Sequence, residues 1–244
     1  MEAMSATNAA VAVAPAESLR QRAARNILHP LSRTLLVLTF TTGLIDAVSY
    51  LRIGHVFSAN MTGNIVFLGF GVAGSGGLPV IAPLVSLAAF LIGAGGGGVL
   101  GSRLAPRDSQ HLRTALAIEA ILVGAATILA ASIDVRANAP SGDLVIALLA
   151  AAMGVRNATV RRIGVPDLTT TVLTLTLTGL AADSRLFGGS GKGTVRRSSA
   201  VLMMFSGALV GAVLLKTSMV LPLALAAGLA LALAITYPPG SPTR

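Results

Sequence analysis

Residues 55–74 read HVFSANMTGNIVFLGFGVAG, an apolar run that carries Asn60, Thr62, Gly63 and Asn64 in its first third. A second run of the same character lies at 165–183, VPDLTTTVLTLTLTGLAAD, with threonines where the first has asparagines. Two related polar inserts in an otherwise greasy chain point to a site built between two halves.

The surrounding composition sets the solvent. The chain has 244 residues, 54% hydrophobic and 11% charged, with mean hydropathy +0.80. A soluble domain carries about 25% charged residues, so bilayer-embedded helices are the first reading. With no cysteine, disulfides, thiolate catalysis and Cys-ligated metals are excluded. His29, His55 and His111 are scattered and form no metal-ligand spacing with a carboxylate. No cofactor is expected. The net charge of +9 does not indicate nucleic acid, because Lys and Arg lie between apolar runs, where the positive-inside rule places them. Residues 1–33 form a basic tail with no signal-peptide pattern. Within it, SLRQRAARNIL (18–28) reads either as a membrane-surface helix, with Arg20, Arg22 and Arg25 toward headgroups, or as an unstructured tail.

Apolar runs fall at about 34–51, 56–74, 79–102, 114–133, 144–160, 166–184, 199–215 and 218–237, each near the ~20 residues a spanning helix needs. If all eight cross, the 18 Lys and Arg divide 10 inside to 8 outside. If the second and sixth runs enter and leave on one face, the division becomes 15 to 3, with only Arg52, Arg136 and Lys216 outside and both termini inside. Charge bias therefore favours an all-α polytopic membrane protein of six full spans plus two re-entrant or broken segments. Eight spans remain the alternative.

The chain also repeats itself. Arg52-Ile53-Gly54 matches Arg162-Ile163-Gly164, and the same offset pairs Asn60 with Thr170, Asn64 with Thr174 and Gly69 with Gly179. With small slippage Gly43, Asp46 and Ala47 match Gly154, Asn157 and Ala158, and Gly93, Ala94 and Gly97 match Gly207, Ala208 and Gly211. The divisions are a tail (1–33), repeat 1 (34–133), a connecting loop (134–143), repeat 2 (144–237) and a C-terminal tail (238–244). Three full spans per half make the second copy inverted, a 3+3 plan. Four per half would give a 4+4 parallel repeat.

Residues 43–69, GLIDAVSYLRIGHVFSANMTGNIVFLG, and 153–183, MGVRNATVRRIGVPDLTTTVLTLTLTGLAAD, resemble the YoaK (DUF1275) family of bacterial integral membrane proteins over about residues 34–237. The resemblance implies a polytopic inner-membrane protein. It transfers no biochemical activity.

Candidate binding residues follow from polarity in apolar context. Asp46 lies in the first span, where a carboxylate costs about 2.5–3.5 kcal/mol and needs a partner or a wet cavity. It serves either proton or cation coupling, or a structural bond to Arg52 or the nearby insert. Asn60 and Asn64, four apart, would share one helix face, as would Thr170 and Thr174. With Thr62, Gly63, Asn157 and Thr171 they complete the expected solute or ion site, against the plainer reading of interhelical hydrogen bonds. Asp167 after Pro166 reads as a helix N-cap. Glu119 is expected to pair with Arg113, the alternative being a second coupling carboxylate, and Arg156, Arg161 and Arg162 to anchor a cytoplasmic membrane edge, the alternative being attraction of an anionic substrate. Gly93, Gly97 and Gly101, with Gly207 and Gly211, read as helix-packing faces that also offer a homo-oligomer contact. The G-x-G-x-x-G at Gly93–Gly98 lies inside a span and is not a dinucleotide loop.

The preferred function is a small-solute or ion transporter or channel. An intramembrane lipid enzyme and an assembly subunit are the alternatives, and the first lacks any Ser-His, Cys or metal constellation. The expected partners are the bilayer and an unidentified small solute or ion.

Overall fold

The computed structural model describes residues 29–104, 108–165, 170–171 and 173–238. Eight α-helices occur among them: α1 (Pro30–Val48), α2 (Met61–Val72), α3 (Ile81–Arg103), α4 (Asp108–Ser132), α5 (Pro140–Ile163), α6 (Thr174–Ala182), α7 (Thr194–Leu215) and α8 (Val220–Thr236). The described residues contain no strand. The basic tail at 20–25 and the Asp167 cap lie outside the described residues.

Local chemistry sets several boundaries. Pro30 opens α1, where a missing N–H costs nothing, and His29 Nδ1 accepts from Leu31 N at 3.3 Å. Within the helix Thr39, Thr41 and Thr42 return their hydroxyls to the Leu35 and Leu38 carbonyls. A π-helical turn, Ser49–Gly54, continues α1 and stops at His55, whose φ of 53° lies in the left-handed region. Pro140 opens α5, and Gly164 closes it at φ 64° with its N–H on the Val160 carbonyl, the left-handed cap that glycine accommodates without a Cβ clash.

Five helices are long and apolar enough to cross a membrane: α1 with its π turn, α3, α4, α5 and α7. α8 is apolar but has 17 residues. α2, with 12 residues, reaches only ~18 Å, and α6, with 9, ~14 Å, against ~30 Å of hydrocarbon. Outward faces carry Ile65, Leu91, Ile92, Ile128, Phe205 and Val213, as lipid contact requires.

Two close pairings organise the bundle, and glycine makes both. α3 runs parallel to α5. A Cβ at Gly93 would collide with the Ala151 carbonyl, one at Gly97 would meet Val155 and Ala158, and one at Gly101 would meet Arg162. From the other side, Gly154 presses on the Phe90 carbonyl. α7 runs parallel to α1 in the same way. Gly207 meets Phe40, Gly211 meets Leu44 and Ala47, and Gly43 meets Met204 and Ala208. All five packing glycines are thus covered by helices of the same chain.

α1 and α5 are antiparallel, since Arg156 meets Leu38, Thr41 and Thr42 while Gly142 meets Ile53. α4 and α8 also run antiparallel, with Val123 and Ala126 near Leu223 and Ala226 and Arg113 Nε on the Ala234 carbonyl at 3.1 Å. These directions fix where the short helices return. The chain leaves α1 and enters α3 at one end of the bundle, where a Cβ at Gly54 would stand 3.7 Å from Ala82 Cβ. It leaves α5 and enters α7 at the other end. Two apolar clusters fill the interior, one around Leu44, Ile53, Val123 and Leu149, the other around Leu31, Leu38, Leu116 and Val160.

The continuous runs read at 56–74 and 166–184 are not continuous helices. Residues 55–60 are non-helical, because Asn60 sits outside α2 as its N-cap and accepts from Gly63 N at 3.4 Å. The shared face of Asn60 and Asn64 is lost with that helical register. In the second half Thr170 has φ 61° and the helix begins only at Thr174.

Candidate functional site

The site is built where each long central helix meets the broken segment that follows it. In the first half, Asp46 on α1 is only 6% exposed. Its Oδ1 accepts from Ser58 N at 3.0 Å and Ala59 N at 3.1 Å, so the carboxylate holds the non-helical stretch ahead of α2. Of its two structural alternatives, the partner is the polar insert; Arg52 is exposed. Asn64 locks the same stretch from the other side. Its Oδ1 accepts from Phe57 N at 2.8 Å, and its Nδ2 donates to Phe57 O at 2.6 Å and to Ser86 Oγ at 3.0 Å.

In the second half, Asn157 on α5 does the corresponding work with a neutral side chain. Its Oδ1 accepts from Thr171 Oγ1 at 2.6 Å, and its Nδ2 donates to the Met153 carbonyl at 2.8 Å. Ser58 Oγ and Thr170 Oγ1, one in each broken segment, are buried and find no hydrogen-bond partner among the described residues.

Between these segments lies a cavity of about 950 Å³, within the ~300–1,000 Å³ typical of small-molecule sites. It brings together Asp46, Asn60, Thr62, Gly63, Asn157, Thr171 and Thr174. Two sequence candidates stand apart from its lining: Asn64, fully buried in its own hydrogen bonds, and Thr170. Residues contributed by α7 (Met204, Ala208 and Ala212) and by α3 (Phe90) complete the wall.

Aromatic rings form part of that wall, and the sequence reading did not single them out. Tyr50 and Phe57 stack with centroids 4.9 Å apart, and Phe67 lies 5.9 Å from Phe57 and 6.1 Å from Tyr50. The sequence held one usable signal: aromatic residues make up only 4% of the chain, yet three fall within 50–67.

Arg156 and Glu119 form a buried ion pair, each side chain about 1% exposed. Arg156 Nε donates to Glu119 Oε2 at 2.7 Å, and Nη2 donates to Glu119 Oε1. The remaining donors go to Leu38 O at 2.8 Å, Thr42 Oγ1 at 2.7 Å and Thr41 Oγ1 at 2.8 Å. All five N–H groups of the guanidinium are used. This corrects two expectations. Glu119 pairs with Arg156, 37 residues on, because α4 packs across α5, while Arg113 turns to α8. Arg156 is a core residue; only Arg161 and Arg162 reach an exposed end.

The described residues contain no cluster of three or more His, Cys, Asp or Glu suited to a metal. Polar oxygens and amides from both halves, one buried carboxylate and an aromatic wall are the chemistry the cavity offers.

Comparison with known proteins places the chain. The family model described as "Protein of unknown function (DUF1275)" matches residues 34–236. The chain belongs to the DUF1275 family. It is 32% identical over 188 residues, 72% of this chain and 80% of the relative, to the UPF0700 transmembrane protein YoaK of Bacillus subtilis (strain 168). No solved structure matches it. With a relative named a transmembrane protein and five helices able to span a bilayer, this DUF1275 chain is a multi-pass membrane protein.

Proposed function

We propose that the chain is a small-solute or ion transporter or channel of the cytoplasmic (inner) membrane, with its site in the cavity between two inverted repeats. The observation that carries this reading is the cavity lining, which joins Asp46, Asn60 and Thr62 from one half to Asn157, Thr171 and Thr174 from the other. Polar groups from two discontinuous segments, gathered at a repeat interface, are how secondary transporters hold their solutes.

Six spans and two broken segments make up the arrangement. α1, α3 and α4 form the first set, α5, α7 and α8 the second. Support comes from the directions of the helices: α1 and α5, the first of each half, run oppositely, and α2 and α6 each return the chain to the end it came from. The pairings correspond as well, α1 with α7 and α3 with α5, through Gly43–Gly207 and Gly154–Gly93. Both termini are cytoplasmic by charge. Removing buried Arg156 lowers the inner-face count by one and leaves the bias in place.

Reconstitution into proteoliposomes and flux measurement across a solute panel tests the function. Flux is expected, falling at least ten-fold in Asp46→Asn and in Thr62→Ala combined with Thr174→Ala. Flux that all these variants leave unchanged would remove the cavity from the pathway.

A further inference from the structure

Which solute class fits the cavity is decided by its charge and its walls. Among the described lining residues Asp46 is the one carboxylate, and none is Lys, Arg or His. Oδ1 of Asp46 is committed to Ser58 N and Ala59 N, but Oδ2 accepts no hydrogen bond from a described residue. The nearest basic group in the core, Arg156, has every donor engaged elsewhere. A largely buried carboxylate oxygen therefore meets the cavity with no described cation bonded to it, Arg156 acting on it only through space, a costly arrangement at membrane depth that a bound cationic ligand would relieve.

The rest of the wall selects the kind of cation. Tyr50, Phe57 and Phe67 present stacked rings, joined by Phe90, Met61 and Met204. Aromatic faces attract cations through the ring quadrupole and cover apolar surface. A bare metal ion needs several oxygen ligands close around it, and the described residues hold no group of three or more His, Cys, Asp or Glu that could gather on one.

We propose that the cavity takes a small organic cation, its protonated amine on Asp46 Oδ2 and its apolar body against Tyr50, Phe57 and Phe67. This rests on the cavity being the solute site and names the class that site selects.

Equilibrium binding to the full chain in nanodiscs tests it with tyramine and hexylamine, the neutral 4-propylphenol and the anion 4-hydroxyphenylacetate. The amines are expected to bind at least ten-fold more tightly than the neutral and anionic probes. Asp46→Asn keeps an oxygen acceptor for Ser58 N and Ala59 N, so its melting temperature should stay near wild type while the amine preference disappears. Tyr50→Leu, with the carboxylate intact, is expected to weaken amine binding several-fold. Absence of amine binding by the wild-type chain would overturn the proposal. So would equal binding of 4-propylphenol, tighter binding of the anion, or an amine preference that survives Asp46→Asn. Flux in proteoliposomes separates the two readings. Amine binding without flux upholds the cation site and removes transport, whereas Asp46-independent flux of 4-hydroxyphenylacetate that Thr62→Ala with Thr174→Ala abolishes upholds the pathway and removes the cation.

Discussion

Asp46 and Asn157 hold corresponding places in the two halves, and each ties down the broken segment that follows its own helix. Asp46 accepts from Ser58 N and Ala59 N; Asn157 accepts from Thr171 Oγ1. The first tie is from backbone to a carboxylate; the second is from a side chain to an amide. Both side chains also line the cavity, so on the proposed function support and recognition would share residues.

That double role separates two substitutions of one residue. Asp46→Ala strands two buried backbone N–H groups, each costing about 1–3 kcal/mol, and should lower thermal stability in detergent. Asp46→Asn keeps the acceptor and should stay within about 1 kcal/mol of wild type while losing flux. Equal melting temperatures for the two variants would contradict the assigned bonds.

The Arg156–Glu119 pair predicts a larger effect. Breaking a buried pair from one side costs about 3–5 kcal/mol, because the other charge is left uncompensated. Glu119→Ala and Arg156→Ala should each destabilise the chain by that order. The double variant Glu119→Leu with Arg156→Met, which removes both charges, should recover a large part. Single variants that melt with wild type would place the pair at a wet surface. Arg113→Ala is expected to be milder, since its Nε makes one bond, to the Ala234 carbonyl, and pairs with no carboxylate among the described residues.

Glycine substitutions should divide by face. Gly93→Val and Gly207→Val drive a side chain into a neighbouring backbone and should cost about 1–3 kcal/mol or more, read as loss of monodisperse protein. Gly95, Gly96 and Gly98 have open space at their Cβ positions, and alanine there should change stability by no more than about 0.5 kcal/mol. Equal sensitivity across the row would contradict the assigned faces.

Asn60 and Asn64 should behave differently despite their spacing. Asn64→Ala removes the bonds to Phe57 and Ser86 and should reduce stability by about 1–3 kcal/mol. Asn60 is exposed and caps α2 through one long bond of 3.4 Å, so Asn60→Ala should act on flux more than on melting temperature. Melting curves of the two variants check this.

Much of this was legible in the residues themselves. Low charge and hydropathy gave the membrane, the repeat offset paired Gly43 with Gly154 and Gly93 with Gly207, and the lone Asp46 marked the cavity. What was not legible depended on which helices meet. Glu119 and Arg113 are near in sequence, and only the packing of α4 on α5 gives Glu119 to Arg156. Asn60 and Asn64 look like one stripe, and only the helix start at Met61 divides them into a cap and a core lock. The aromatic wall was hidden because Tyr50, Phe57 and Phe67 follow no single period; a π turn and a loop lie between them.

In the proposed inverted arrangement the two broken segments enter from opposite faces to meet at one cavity. Ser75, after α2, and Ser190, after α6, are both exposed, and the chain has no native cysteine. A membrane-impermeant maleimide applied to intact cells should label Ser75→Cys from outside and reach Ser190→Cys only after permeabilisation. Labelling of both from the same face would contradict the inverted arrangement and restore eight parallel-repeat spans.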